Sequence, residues 1–140
     1  MIDQAAIDAA VEAAVVEILE INAFELAERG DAEPPPAGAL TARLQFHGPP
    51  SGALHLWIEE GEARALTEAL LGAGELDAAL IADAVAELAN MIAGHVLSRV
   101  YGDACVGLDH AEVGIDLAAA CGLLMVGEHG RIGVHLEVDR

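Results

Sequence analysis

Leu40-Thr41-Ala42-Arg43-Leu44-Gln45-Phe46-His47 alternates apolar and polar residues over eight positions. Leu40, Ala42, Leu44 and Phe46 fall on one side, Thr41, Arg43, Gln45 and His47 on the other. A period of two belongs to a strand with one face buried. Ala53 to Glu59 repeats the pattern, with Leu54, Leu56 and Ile58 on one side and His55 and Trp57 on the other. Between them, His47-Gly48-Pro49-Pro50-Ser51-Gly52 is a turn. The two strands therefore predict a hairpin with a long loop.

On either side of the hairpin the period lengthens. From about Asp3 to Arg29, Ile7, Val11, Ala14, Val15, Ile18 and Asn22 recur at helical spacing, with Leu19 and Leu26 beside them. Asp3 can cap this helix and Gly30 can end it. Pro34-Pro35-Pro36 then makes a stiff, extended connector into the hairpin. Downstream, Gly61 to Leu71 predicts a short helix with Ala65, Leu66, Ala69 and Leu70 inward, closed by Gly72-Ala73-Gly74. A second long helix is expected from about Asp77 to Val100, stopping at Gly102. The last third returns to strands. Cys105 to Leu117 alternates around Val106, Leu108, Val113, Ile115 and Leu117. Leu123–Val126 and Ile132–Val138 flank a tight turn at His129-Gly130. One-sided helices around alternating strands predict an α+β fold. It is a two-layer arrangement, a mostly antiparallel sheet with two long helices on one face. At 140 residues, with no composition break, a single domain over 1–140 is expected.

Composition narrows the partners. Aromatics are 3% of the chain, so the core is built from Ala, Leu, Val and Ile. The formal net charge is -18, and all six basic residues are Arg. Nucleic acid is excluded as a partner, because binding it requires cations to neutralise phosphates. An anionic membrane surface is disfavoured for the same reason. An acidic surface can steer a basic partner or simply keep the protein soluble. Acids break every long apolar stretch, so no segment is expected to span a membrane. Met1-Ile2-Asp3-Gln4 lacks the basic start of a signal peptide. Cys105 and Cys121 form no CxxC pair and are expected as buried free thiols in a reducing cytoplasm. The six histidines show no HxxxH or HExxH spacing, and no glycine-rich phosphate loop is present. His95 is expected to be partly buried, and Trp57 to be a packing or interface residue.

The second long helix carries the candidate chemistry. On a wheel of 3.6 residues per turn, Ile81, Val85, Leu88, Ile92 and Val96 form one face, which must be the core face. Asp83, Glu87, Asn90 and Gly94 gather on the opposite side. Ala86 and Ala93 are expected to flank them, small enough for another protein's backbone to come close. A solvated polar face would account for this strip by wheel geometry alone. Asn90 and Gly94 count against that reading. Asn is a poor mid-helix residue, and Gly costs about 1 kcal/mol against Ala in a helix interior.

Asp83-x3-Glu87-x2-Asn90, continued by Met91-Ile92-Ala93-Gly94, resembles the phosphatase signature of the CheC/CheX/FliY chemotaxis family. The order of helix, hairpin, short helix, signature helix and terminal strands is similar to the CheX branch over nearly the whole chain. CheC-like members carry two signatures. Here there is one, since the only Asn of the first helix, Asn22, has Leu19 three residues before it. The resemblance implies hydrolysis of the aspartyl phosphate on a phosphorylated CheY-like response regulator. It implies that Asn90 orients the attacking water and that Glu87 meets a cation of the regulator. Asp83 and Gly94 would join Glu87 in contacting the partner. The divalent metal would belong to the regulator, leaving no cofactor and no metal site in this chain. A cytoplasmic homodimer is expected. Two other readings stay open: a non-catalytic adaptor or flagellar-switch module of the same fold, and a structural dimerisation domain.

Overall fold

The computed structural model describes residues 3–72, 74–102, 106–114 and 122–139. Cys105, Ile115, Leu117 and Cys121 lie outside them. Helix α1 is Gln4–Ala23, and Asp3 caps it by accepting the Ala6 N–H at 2.8 Å. After strand β1, Glu28–Gly30, come the paired strands β2, Leu40–His47, and β3, Gly52–Ile58. Helices α2, Glu60–Leu71, and α3, Ala78–Tyr101, follow. Then come β4, Gly107–Leu108, β5, Glu112–Val113, β6, Leu123–Val126, and β7, Arg131–Val138.

The seven strands among the described residues form one sheet in the order β1-β6-β7-β3-β2-β4, with β5 also on β2. Every pairing is antiparallel. The β2–β3 register sets Ala42 against Leu56 and Leu44 against Leu54, so the alternating apolar residues share one face. On that face α3 packs against β2 and β3, while α1 packs against β6 and β7; α2 leans on both helices. Ile18, Leu44, Phe46, Leu56, Leu88 and Ile92 are among the fully buried side chains of this single core. Burying an aliphatic side chain of this size contributes about 1.5–3 kcal/mol, which is what fixes the helices on the sheet.

Three expectations about the elements are corrected. The first helix does not run to Arg29. It stops at Ala23, where Phe24 takes a left-handed conformation at φ 52° and Glu25 N–H returns to the Leu19 carbonyl. The chain is needed elsewhere: Glu28–Gly30 pairs with Val126–Leu124 as an edge strand, and Leu26 is exposed. In α2 the inward residues are Glu62, Ala63, Leu66 and Thr67; Ala69 is exposed. Two polar residues go inside because each finds a partner. Thr67 Oγ1 donates to the Ala63 carbonyl, and Glu62 accepts from the His129 amide. Finally, the long strand expected after Cys105 is broken. Among the described residues only Gly107–Leu108 and Glu112–Val113 pair there, both with β2, and Leu108 is exposed.

The helix-free face carries Trp57, only 2% exposed. Its indole lies over Gly133 on β7, where any Cβ would collide with the ring. The Pro-rich connector runs from β1 past β6, β7 and β3 to β2, and is tied down by Glu33, which pairs with Arg131 of β7. Helix α3 is long and apolar enough to cross a membrane by length and composition, contrary to the expectation that acids break every such stretch. Half of that apolar stretch is buried inside the fold, as the core face of the helix.

Candidate functional site

The strip on α3 is held by a firmly anchored helix. Asp77 caps its start, its carboxylate accepting the Leu80 N–H at 2.8 Å, and Gly102 closes its end. Ile81, Val85, Leu88, Ile92 and Val96 are all buried. Seven or eleven residues along a helix nearly complete whole turns, so Asp83, Glu87, Asn90 and Gly94 stack along one stripe. Asp83 and Glu87 are exposed, and Asn90 and Gly94 are half-buried. Among the described residues no hydrogen bond or ion pair engages the side chains of Asp83, Glu87 or Asn90. Two carboxylates and a carboxamide are thus free to bind something outside the molecule.

The small residues divide differently from expectation. Ala93 does not flank the strip but is fully buried, as is Ala89. On the α1 side of the helix pair, Ala10 and Ala14 are also buried. Ala86 is half-buried, and Gly94 is open: a Cβ added there meets nothing within 4 Å. Beside Gly94 a cleft between α1 and α3 is lined by Ala10, Ala14, Glu17, Gly94, His95, Ser98 and Arg99. His95 is exposed rather than partly buried, and its Nδ1 lies 3.8 Å from Glu17 Oε2 across the cleft. Sequence reasoning missed Glu17 and Arg99, because the cleft depends on how α1 crosses α3. Among the described residues no three His, Cys, Asp or Glu side chains are placed to hold a metal ion.

Residues 40–120, the hairpin through α3 and beyond, match the family model of the chemotaxis phosphatase CheX. The chain belongs to the CheX family. No curated protein sequence matches it. Several solved structures share its fold. A chemotaxis protein CheX from Desulfovibrio desulfuricans is 18% identical, with a TM-score of 0.76 over 95% of this chain and 99% of that one. Chemotaxis protein CheX from Vibrio vulnificus is 15% identical, with a TM-score of 0.79 over 99% and 100%. The CheX–CheY–BeF3–Mg2+ complex from Borrelia burgdorferi is 13% identical, with a TM-score of 0.74 over the whole of both chains. These likenesses confirm the α+β layer arrangement predicted for the chain. The family is one of chemotaxis phosphatases, and the strip on α3 lies inside the matched segment.

Proposed function

We propose that this CheX-family protein hydrolyses the aspartyl phosphate of a CheY-like response regulator. The observation that carries the reading is the unengaged Asp83–Glu87–Asn90 strip, displayed on a helix whose opposite face is locked into the core. The Borrelia complex of CheX with CheY supports the choice of partner. An acyl phosphate is already reactive; what it lacks is a water held in line with the scissile P–O bond. Attack by that water forms inorganic phosphate and returns the aspartate carboxylate. The carboxamide of Asn90 can accept a hydrogen bond from the water through its carbonyl oxygen. A glutamine orients water in the same manner in GTPases. Glu87, one turn earlier, receives a cation of the regulator, and Asp83 extends the negative rim. The open space above Gly94 leaves room for the regulator's backbone. The divalent ion of the reaction belongs to the regulator, so this chain supplies orientation and charge and no metal.

Residues 1–140 act as one CheX-like unit, as a homodimer in the cytoplasm. Edge strands β1 and β4 leave backbone groups to be covered, which favours association. The test is phosphate release from a phosphorylated receiver domain with wild-type protein and Asn90→Ala. Stimulated release that Asn90→Ala abolishes supports the proposal. Wild-type release by that variant, with intact binding, overturns it in favour of an adaptor role.

A further inference from the structure

Glu25 and Glu62 are 3% and 0% exposed. Glu25 stands just past the end of α1, and Glu62 stands in the first turn of α2. Both reach the β6–β7 turn. A Cβ added to Gly127 would collide with Oε1 of Glu62 and Oε1 of Glu25 at once, so the two oxygens occupy the space of one methyl group. The turn's backbone meets them: the Glu128 N–H donates to Glu25, and the His129 N–H donates to Glu62 at 3.3 Å. Glu62 Oε2 is buried with no hydrogen-bond donor. Among the described residues no cation is bonded to either carboxyl. Arg64 pairs with Glu60, and Arg131 pairs with Glu59 and Glu33. The nearby charge is unhelpful, because the Glu128 carboxylate sits on the same turn and accepts the Leu26 N–H. Arg64, Glu68 and His129 line, together with Glu25 itself, the cleft beside the pair.

Two carboxylates in contact, out of water and without a cation, cannot both be ionised. We propose that Glu25 and Glu62 hold one proton between them, and that this proton fastens three segments together: the α1–β1 junction, the start of α2 and the β6–β7 turn. A protonated carboxyl is a donor, and it can bridge the two Oε1 atoms that meet beside Gly127. Burial first, and the neighbouring Glu25 second, push the Glu62 carboxyl up to about 8 from its ordinary value. The folded state thus binds a proton that the unfolded chain gives up near pH 4.5. The stabilisation from it is complete below that pH, declines as pH rises, and is gone above about 8. The fastener is independent of the strip on α3 and opens on the alkaline side.

Thermal melts of the full chain from about pH 5 to about pH 9.5 test it, comparing wild type with Glu62→Gln. The carboxamide is a neutral stand-in that still offers an N–H to Glu25. Wild type should lose melting temperature relative to the variant up to about pH 8, and the difference should then level off. A difference that does not change with pH overturns the proposal. Should Glu62→Gln fail to fold, carbon NMR titration of the wild-type glutamate carboxyls decides. One carboxyl still protonated at neutral pH supports the shared proton; all of them titrating in the ordinary range overturns it.

Discussion

Glu87 on α3 and Glu62 on α2 are the same residue on two helices that pack against each other, and they meet opposite surroundings. Glu87 points into solvent with no partner among the described residues. Glu62 is sealed under the β6–β7 turn beside a second acid. In an acidic chain, composition cannot say which glutamates matter. Burial and neighbours do. A free carboxylate on an anchored helix is available to a partner and carries little of the fold. A buried carboxyl is unavailable to a partner and carries a share of the fold. Mutation at the two places should therefore separate cleanly into loss of function without loss of stability, and the reverse.

The largest effect is expected beside Glu87. Asn90→Ala should slow release of phosphate from a phosphorylated regulator by about 10²–10⁴, the worth of a well-placed group in proton transfer or water orientation. Binding to the regulator should persist. Stability should stay within about 0.5 kcal/mol, as for surface substitutions that break no packing or hydrogen bond. A variant that melts early would place Asn90 with Glu62 in the supporting class and break the contrast.

Glu87→Ala comes next. If its carboxylate meets a cation that becomes buried in the complex, its loss should weaken binding by about 2–5 kcal/mol, and far less if the contact stays on the rim. A titration by calorimetry, beside a thermal melt, reads both. The reverse experiment is Glu62→Ala. It leaves the His129 N–H without its acceptor and Glu25 buried alone, which should cost about 1–3 kcal/mol of stability. Phosphate release per folded molecule should not change. A loss of activity exceeding the loss of folded protein would mean that the α2–turn fastening reaches the strip.

How far each region was legible follows from the same contrast. The strip could be read from sequence because it is made by one helix. Spacing alone places Asp83, Glu87, Asn90 and Gly94 together, and Asp77 and Gly102 mark the helix ends. The hairpin was legible for the same local reason, since Leu40 to His47 carries its period on its face. What sequence hid is what distant segments make together. Nothing around Phe24 announces a helix end, because a left-handed phenylalanine is unusual. The stop is set by β1 pairing with β6 and by Glu25 under a turn about a hundred residues later. The inward face of α2 was misplaced for that reason too. Polarity put Glu62 and Thr67 outside, and a tertiary partner for one and a local carbonyl for the other brought them in. Ala93, expected beside the strip, is fully buried, and what covers it comes from other segments with no sequence signal at α3.

The smallest effect is the most discriminating one. Gly94 sits on the strip inside an otherwise regular helix, and a Cβ there meets nothing within 4 Å. For the isolated fold, alanine is the better residue at that position, by up to about 1 kcal/mol in helix propensity. Gly94→Ala should therefore raise the melting temperature slightly, with no rearrangement. A helix selected for stability alone would have no reason to keep glycine. If the position is kept open for the regulator's backbone, the added methyl enters the interface and should weaken binding while the free protein gains stability. Both readings predict the same melt and differ only in the titration. A more stable variant that binds the phosphorylated regulator as tightly as wild type would remove Gly94 from the contact surface and confine the site to Asp83, Glu87 and Asn90. A more stable variant that binds less well would mark Gly94 as a place where this fold gives up stability for contact. That is the opposite of what Glu62 does on α2.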